Sequence, residues 1–457
     1  MNGMDGPVYL ECGRRGENSR GQLGVIPREL CSRCGACHVI CPTNAIGFDK
    51  AEYPSIVIER CVDCGLCLEV CAGIHFDFRR YHQEVFEREY RHWQIGGLFS
   101  RAYVGYSRDP EIRAGGSSGG VVTHLLVALL AKGMIDGAAV VGNDPADPLV
   151  PQPIIARTEQ QIRTAAQSKY VVVANIKTLR DVTRGDERIA FVGLPCQVQG
   201  LRKLQRLSEG LSQSVALIIG LACGGVLERE AVLELLAVRG IHPGSVDRIA
   251  FRDGHYPGSM RVRLRDGTVR PLHRHGIKDG AFNKLVRLYL AERCLLCSDY
   301  SAEFSDISCS DIWLRQRDGQ HLHPDGATLI LCRTERGQRI VESLAEAGEI
   351  AVEPIESSLV ERAYRSVTWQ KKTYPFFEAR WRRTEGRPVP EYGLTVAISR
   401  TDWLRGALYR LSFVFRRSPV LRRCALRFLF SPFGEGLSYT RIKYKHYRQL
   451  LSGRNVR

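Results

Sequence analysis

The 457 residues include no run of eighteen apolar side chains, which excludes a membrane-spanning helix of ordinary length. The longest apolar stretch, "VALIIGLACGGV" at 215–226, suits a buried strand and its turn. The opening "MNGMDGPVYLECGRRGENSRG" lacks an apolar h-region, so no secretory signal is expected and a cytosolic chain is. Acidic residues are almost missing from the end of the chain: between Arg400 and Arg457 fourteen Lys and Arg face only Asp402 and Glu435. That stretch carries +12 of the total +16, so the rest is close to neutral. The basic character belongs to an appendage, and with no binding motif beside it nucleic acid is not an expected partner.

What is plentiful is cysteine. Sixteen in a long cytosolic chain argue for metal ligation over disulfides, because cytosolic thiol pools keep cysteine reduced. "CSRCGACHVICP" (31–42) and "CVDCGLCLEVC" (61–71) each read C-x2-C-x2-C-x3-C. Zinc sites usually take two pairs a dozen or more residues apart. Runs at this pitch belong to two-cluster ferredoxins, where the fourth cysteine of each run ligates the other cluster. One 4Fe-4S cluster is therefore assigned to Cys31, Cys34, Cys37 and Cys71, the other to Cys61, Cys64, Cys67 and Cys41. Gly35 and Gly65 are expected where the backbone passes close to a sulfide. Ala72 stands where a second proline might have followed the run, which removes a turn preference and no ligand. "AIGFDKAEYPSIVIE" (45–59) reads as the hairpin of the same module.

Length alone suggests two or three domains. A charged, aromatic linker is expected from Arg79 to Ser100, after which the pattern becomes α/β. "RAGGSSGGVVTHLLVALLAKGMIDGAAVVGND" (113–144) reads as loop, helix, turn and strand. Its "GGSSGG" is neither a Walker nor a Rossmann sequence, but it precedes a helix start, where free amides and the dipole favour an anion such as a cofactor phosphate. "RIAFVGLPCQVQGLRKLQRL" (188–207) and "SVALIIGLACGGVLEREAVLELLAVRG" (214–240) are strand–turn–helix units with Cys196 and Cys223 at the strand ends, where open α/β sheets place ligands. "RVRLRDGTVRPL" (261–272) is a hairpin about Asp266-Gly267. A further C-x2-C, Cys294 and Cys297, has three readings: a thiol redox pair, half a zinc site or half an iron–sulfur site. Completed by Cys196 and Cys223, it is best read as a third 4Fe-4S site. Cys12, Cys309, Cys332 and Cys424 lack partner spacing and read as buried or incidental thiols.

Five motifs, in order, then carry a resemblance. "SSGGVVTHLLVALLAKGMIDGAAVV", "SKYVVVANIKTLRDV", "VGLPCQVQGLRKL", "IGLACGGV" and "RCLLCSDYSAEFSDISCSDIW" together resemble the family of coenzyme F420 hydrogenase/dehydrogenase beta subunits over about residues 101–355. The resemblance implies FAD and a 4Fe-4S cluster on a mixed α/β domain. It also implies electron transfer between the flavin and a substrate, the deazaflavin coenzyme F420 in the best-known members and chlorophyll-pathway tetrapyrroles in others. It matches Cys196, Cys223, Cys294 and Cys297 to the family's cysteines. Ser117, Ser118, Gly119, Gly120 and Thr123, with Lys169 of "SKY", fall on the flavin-side segments. Cys309 departs from the family, which more often has a small residue there.

The expected architecture is α/β (α+β): a two-cluster ferredoxin-like module at 26–78, the two parts of a flavin-binding domain at 101–186 and 187–360, and a basic helical tail at 400–457. The expected function is an iron–sulfur flavoprotein oxidoreductase acting on a small organic substrate, F420 or a related molecule, with a soluble ferredoxin or other redox protein as partner. The alternatives are an accessory electron-transfer subunit of a larger complex and a ferredoxin-dependent reductase of a substrate other than F420. The tail, "WLRGALYRLSFVFRRSPVLRRCALRFLFSPFGEG", interleaves apolar and arginine positions. It suits an anionic membrane surface or an acidic partner, against the plainer reading of helices packed on the body. If it is an appendage, a chain ending near Pro390 keeps its cofactors.

Overall fold

The computed structural model describes residues 26–144, 146–182, 186–273, 280–314, 316 and 320–451; Cys12 lies outside them. At the N-terminus the chain makes the same local excursion twice. Two cysteines, a left-handed glycine (Gly35, φ 96°, then Gly65, φ 73°) and a short helix follow one another, giving helices Ala36–Ile40 and Leu66–Glu69. Between them β1 (Ile46–Phe48) and β2 (Pro54–Ile56) pair antiparallel, with Gly47 opposite Ser55.

The segment expected as a linker is instead a capped helix, Phe78–Phe86. Asp77 accepts from the amides of Arg79 and Arg80, and Phe78, Tyr81 and His82 share its buried face. Tyr81 stacks on Phe76 at 4.4 Å. Of the segment's aromatic residues, Tyr81 and Tyr90 are core contacts, whereas Trp93 is 59% exposed.

The body is built on an eight-stranded sheet. Its strands are β3 (Arg101–Ser107), β4 (Gly137–Asn143), β5 (Pro151–Ala156), β6 (Ile189–Gly193) and β7 (Val215–Leu221), then β11 (Ile307–Asp311), β12 (Thr328–Cys332) and β13 (Ile350–Pro354). β8 (Val246–Asp253), β9 (Ser259–Leu264) and β10 (Val269–Pro271) form a separate antiparallel sheet whose β9–β10 turn is the expected Asp266-Gly267 hairpin. The large sheet runs β13-β3-β12-β11-β7-β6-β4-β5. β4, β6, β7 and β11 are parallel neighbours, and the flanking pairs are antiparallel. β3 sits between β12 and β13, so the segments before and after residue 187 close one sheet.

One apolar cluster joins the N-terminal module to this sheet. Ala36, Val39, Ile46 and Val70 pack with Phe191, Val198, Leu201, Leu204 and Phe304, all of them buried. Module and body therefore share a core and cannot move independently without exposing it.

Past residue 355 the chain is helical. Ser357–Lys372 and Tyr374–Thr384, which no sequence motif announced, lead to Arg400–Leu411, Pro419–Leu429 and Pro432–Leu451. The last three are only half an appendage. Leu426 and Phe430 are buried with Leu235, Leu236 and Tyr289, and Phe413 packs with Tyr374 and Phe377. Arg239 pairs with the buried Glu435 at 2.6 Å. A chain ended near Pro390 would uncover these surfaces, so the tail is in part packed on the body and is not a free appendage. Leu426→Ala, at a side chain 0% exposed, is expected to lower stability by about 2–4 kcal/mol in urea unfolding. Leu408→Ala, at 61% exposure, should change it by no more than about 0.5 kcal/mol. Equal effects would show that the tail does not pack as described.

Candidate redox centres

The two N-terminal cysteine runs exchange their last members. The neighbouring thiols that raise the pKa of buried Cys37, after burial itself, are Cys31, Cys34, Cys71 and then Cys67. For Cys67, pushed up to about 11 chiefly by burial, they are Cys64, Cys61 and Cys41. The structure thus gathers Cys31, Cys34, Cys37 and Cys71 in one place, and Cys61, Cys64, Cys67 and Cys41 in a second beside it. Cys64 is exposed, and its set forms the outer edge of the module.

The two glycines of the cysteine runs differ in their surroundings. Gly35 and Gly65 both need the left-handed backbone. A Cβ at Gly35 would also sit 2.8 Å from the amide nitrogen of Lys177, whereas one at Gly65 would meet nothing within 4 Å. Gly35 is thus a point where the body's backbone presses closely on the module.

The body's four cysteines converge as well. Gly193 at the end of β6 lies opposite Gly220 of β7, which brings Cys196 and Cys223 to adjacent carboxyl ends of parallel strands. The turn carrying Cys294 and Cys297 is tied to them by backbone bonds, from Ala291 N to the Val226 carbonyl (2.8 Å) and from Cys223 N to that of Tyr300 (2.8 Å). All four line one cavity, together with Cys31, Arg293 and Lys371. Burial pushes the Cys196 thiol well up, and the like charges reinforcing it are Cys297, Cys223, Cys294 and Cys34.

Cys34 is the link between the sets. A Cβ at Gly200 would lie 3.1 Å from the Cys34 sulfur, and Gly200 stands one helical turn beyond Cys196 on the helix Pro195–Leu207. Around this contact the body holds the module through its main chain. Ile176 N donates to the Cys34 carbonyl at 3.1 Å, Arg180 donates to the carbonyls of His38 and Cys41, and Lys203 donates to those of Cys71 and His75. Arg33, buried, makes a two-pronged pair with Glu228 at 2.7 and 2.8 Å.

The donor sets fit iron–sulfur clusters. Among the described residues no three His, Cys, Asp or Glu side chains stand close enough to hold a single ion. Four buried thiolates in one place repel one another unless cationic metal lies between them. Lys371, 4% exposed, adds to the fit. It forms no ion pair with a carboxylate among the described residues. Burial opposes its charge, but Cys297, Cys223, Cys294 and Asp299 outweigh this and hold its pKa above the ordinary value. Arg293 sits similarly beside Cys297 and Cys196 and donates to the Tyr392 hydroxyl at 2.8 Å. Cys309 is not part of this centre: it lies in the sheet core, with Cys332 as its thiol neighbour.

The residues expected from the sequence on the flavin side form a second locus. Ser168 N donates to Ser117 Oγ at 2.8 Å, joining the two segments. Ser118 Oγ lies 3.3 Å from Thr328 Oγ1. The Gly119 amide is not free, because it donates to Thr328 Oγ1, and its carbonyl accepts from Ser107 N. A Cβ there would lie 2.5 Å from the Gly105 carbonyl oxygen, so Gly119 is required by packing and its replacement cannot report on flavin alone. The next turn does present amides to an anion. Gly120 (φ 72°) opens the helix Val121–Ala131 with no side-chain cap, and Thr123 stands on that first turn. Lys169 Nζ donates to the carbonyls of Ala165 and Ala166. Burial, with Arg248 nearby, brings its pKa down to about 7. Tyr256 and Trp313, stacked at 5.7 Å with Arg252 over both rings, approach this loop through Gly326, whose Cβ would touch both Ser118 and Tyr256.

The fold and cysteine sets are those of an iron–sulfur redox protein. Comparison with known families agrees: "4Fe-4S dicluster domain" matches residues 30–73, and "Coenzyme F420 hydrogenase/dehydrogenase, beta subunit" matches with its N-terminal part over 102–180 and its C-terminal part over 186–358. The chain belongs to the family of coenzyme F420 hydrogenase/dehydrogenase beta subunits. It is 26% identical over 349 residues to the coenzyme F420-dependent sulfite reductase of Methanocaldococcus jannaschii, covering 73% of this chain but only 48% of that protein. With an F(420)H(2) dehydrogenase subunit of Methanosarcina mazei it shares 26% identity over 344 residues, 72% of this chain and 86% of the other. In fold it resembles a chain of the F420-reducing [NiFe] hydrogenase complex from Methanosarcina barkeri. The TM-score is 0.51 and the identity 24%, over 65% of this chain and 97% of that one.

Gly65→Ala is expected to cost about 1–2 kcal/mol, the left-handed backbone penalty alone. Gly35→Ala should cost at least about twice that, because overpacking against the Lys177 amide is added. Urea unfolding of anaerobically prepared protein measures both, and equal losses would contradict the close approach at Gly35.

Proposed function

We propose that the chain is an iron–sulfur flavoprotein oxidoreductase that moves electrons between a protein partner and an organic hydride acceptor or donor, coenzyme F420 or a related substrate. The observation that carries this reading is the unbroken succession of three four-cysteine sets, joined at Cys67 beside Cys37 and at Cys34 beside Cys196. Cys31, Cys34, Cys37 and Cys71 are the proposed ligands of one 4Fe-4S cluster and Cys61, Cys64, Cys67 and Cys41 of the second. Cys196, Cys223, Cys294 and Cys297 are proposed for a third. The clusters supply single-electron exchange, and FAD, when bound, supplies exchange between single electrons and hydride.

The rest is the work of the chain's own residues. The exposed edge at Cys64 is where a ferredoxin or partner enzyme makes contact. Lys371 and Arg293 place positive charge in a water-poor site beside the third set, which favours its more reduced, more negative state. Ser117, Ser118, Gly119, Gly120, Thr123 and Lys169 are the proposed FAD-side residues, the open amides after Gly120 and the Lys169 amine serving an anionic phosphate group. The name of the Methanosarcina mazei relative, a dehydrogenase subunit, favours a second reading in which the chain is an accessory electron-transfer subunit with no substrate site. F420 turnover by the isolated chain separates the two, since an accessory subunit would show none.

Anaerobically prepared protein is expected to carry about twelve iron and twelve sulfide, four of each per cluster. Cys196→Ser and Cys294→Ser should each abolish reduction of the flavin through the clusters while leaving both N-terminal clusters visible by electron paramagnetic resonance. About eight iron in the wild type would remove the third cluster, and zinc in place of iron would remove the scheme.

FAD affinity should depend on pH through Lys169. Its pKa near 7 means the free protein loses this charge as pH rises, whereas a bound phosphate favours the charged amine. Affinity is therefore expected to weaken by up to about tenfold per pH unit above 7. Lys169→Met should bind roughly tenfold more weakly at pH 6 and lose the pH dependence, the loss of one charge-assisted hydrogen bond. Equilibrium titration with FAD measures both, and a flat wild-type profile would overturn this role.

A further inference from the structure

The helices after residue 399 carry an outward face that the redox reading does not use. Twelve of the twenty exposed large apolar side chains among the described residues lie between Trp403 and Tyr444. On the helix Arg400–Leu411, Leu404, Leu408 and Leu411 follow one another at spacings of four and three, a single stripe. The opposite side meets the body: Gly406 packs on the Phe377 ring, and Arg410 pairs with Glu378 and Glu385. On Pro419–Leu429 the same division recurs, with Leu426 buried and Val420 and Phe428 exposed. Phe433, at the start of the next helix, continues the patch at a ring distance of 6.1 Å from Phe428. Each helix thus spends one apolar face on the fold and shows a second to solvent.

The unpaired charge that these helices expose has one sign. Arg417 and Arg427 are exposed and form no ion pair among the described residues. The stretch has two acidic residues, and both are engaged inward. Asp402 caps its own helix and accepts from Trp369 Nε1, and Glu435 is buried against Arg239. Exposed leucine and phenylalanine, interleaved with unpaired arginine and no outward carboxylate, match a surface that is apolar below and anionic above.

We infer that this face docks on an anionic phospholipid bilayer. The apolar stripe enters the acyl boundary while the arginines stay at the phosphate level. No helix among the described residues is long and apolar enough to cross a membrane, so the protein lies on the surface. A nucleic acid would use the arginines and leave the leucine stripe in water. An acidic protein partner would take both kinds of side chain and is separated by the test.

The experiment is co-sedimentation of the full chain, prepared anaerobically, with vesicles of phosphatidylcholine alone or with one part in four phosphatidylglycerol, at low and high salt. The expected result is at least tenfold tighter binding to the anionic vesicles, weakened by salt. Arg417→Gln with Arg427→Gln should reduce binding by roughly 25-fold, about fivefold for each charge near the surface. Leu404→Ser with Leu408→Ser should reduce it by tenfold or more. Both double variants should keep wild-type iron content and thermal midpoint, because these side chains make no core contact. Absence of binding to either vesicle overturns the proposal. So does unchanged binding by the leucine variant, which would leave only non-specific polyanion attraction. A chain that self-associates through these leucines and ignores vesicles overturns it as well.

Discussion

The arrangement depends on a missing side chain at residue 200. Electron tunnelling falls off exponentially with distance, so what matters between two proposed cluster sites is how closely their backbones can approach. Gly200 lets the Cys34 sulfur rest on the helix Pro195–Leu207 that carries Cys196, with no atom to spare. The contacts around it hold that approach. The shared core from Val39 to Phe304, the Arg33–Glu228 pair and the lysine and arginine bonds to the module's carbonyls all fix the module against this helix.

Charge is distributed with the same economy. Lys371 and Lys372 are adjacent and both buried, yet they face different partners. Lys372 pairs with Glu303 at 2.5 Å and also reaches the Tyr90 hydroxyl, so its charge is taken up by partners of its own. Lys371 faces the cysteines and has no carboxylate of its own, so its charge is available to whatever those thiols hold. A buried lysine without a partner would ordinarily lose its proton. Here the neighbouring thiols and Asp299 keep it charged. Helix periodicity carries neighbouring residues to different sides, which is how one "KK" serves both purposes.

What could be read from the sequence was local. Cysteines at fixed pitch announce a module because all the relevant spacing lies within a dozen residues, and strand–turn–helix units put Cys196 and Cys223 at strand ends by the same short-range logic. The geometry then brought both beside Cys294 and Cys297. Gly200, Lys371 and Arg33 were silent, since each acts on residues more than 70 positions away and no local pattern distinguishes it from a packed glycine or a solvated charge. The 79–100 segment misled because its aromatics are spaced for one short helix face and then scatter. Gly119 misled in another way. A glycine-rich loop before a helix invites an anion, but Gly119 spends its amide on Thr328 and its missing Cβ on Gly105, so it offers an anion nothing.

The position of β3 between β12 and β13 also sets an order of events during synthesis. The first strand of the sheet has no neighbour on either side until residues 328–354 exist. The N-terminal cysteines are finished by residue 71, but Phe191, Val198, Leu201 and Leu204, against which their module packs, come later. At about 5–20 residues per second the delay is on the order of ten seconds. During that interval the module stands alone on the nascent chain, with Cys34 and Cys31 facing water. The inner thiols are then as open to iron–sulfur loading as the outer ones, and the body that follows closes over them.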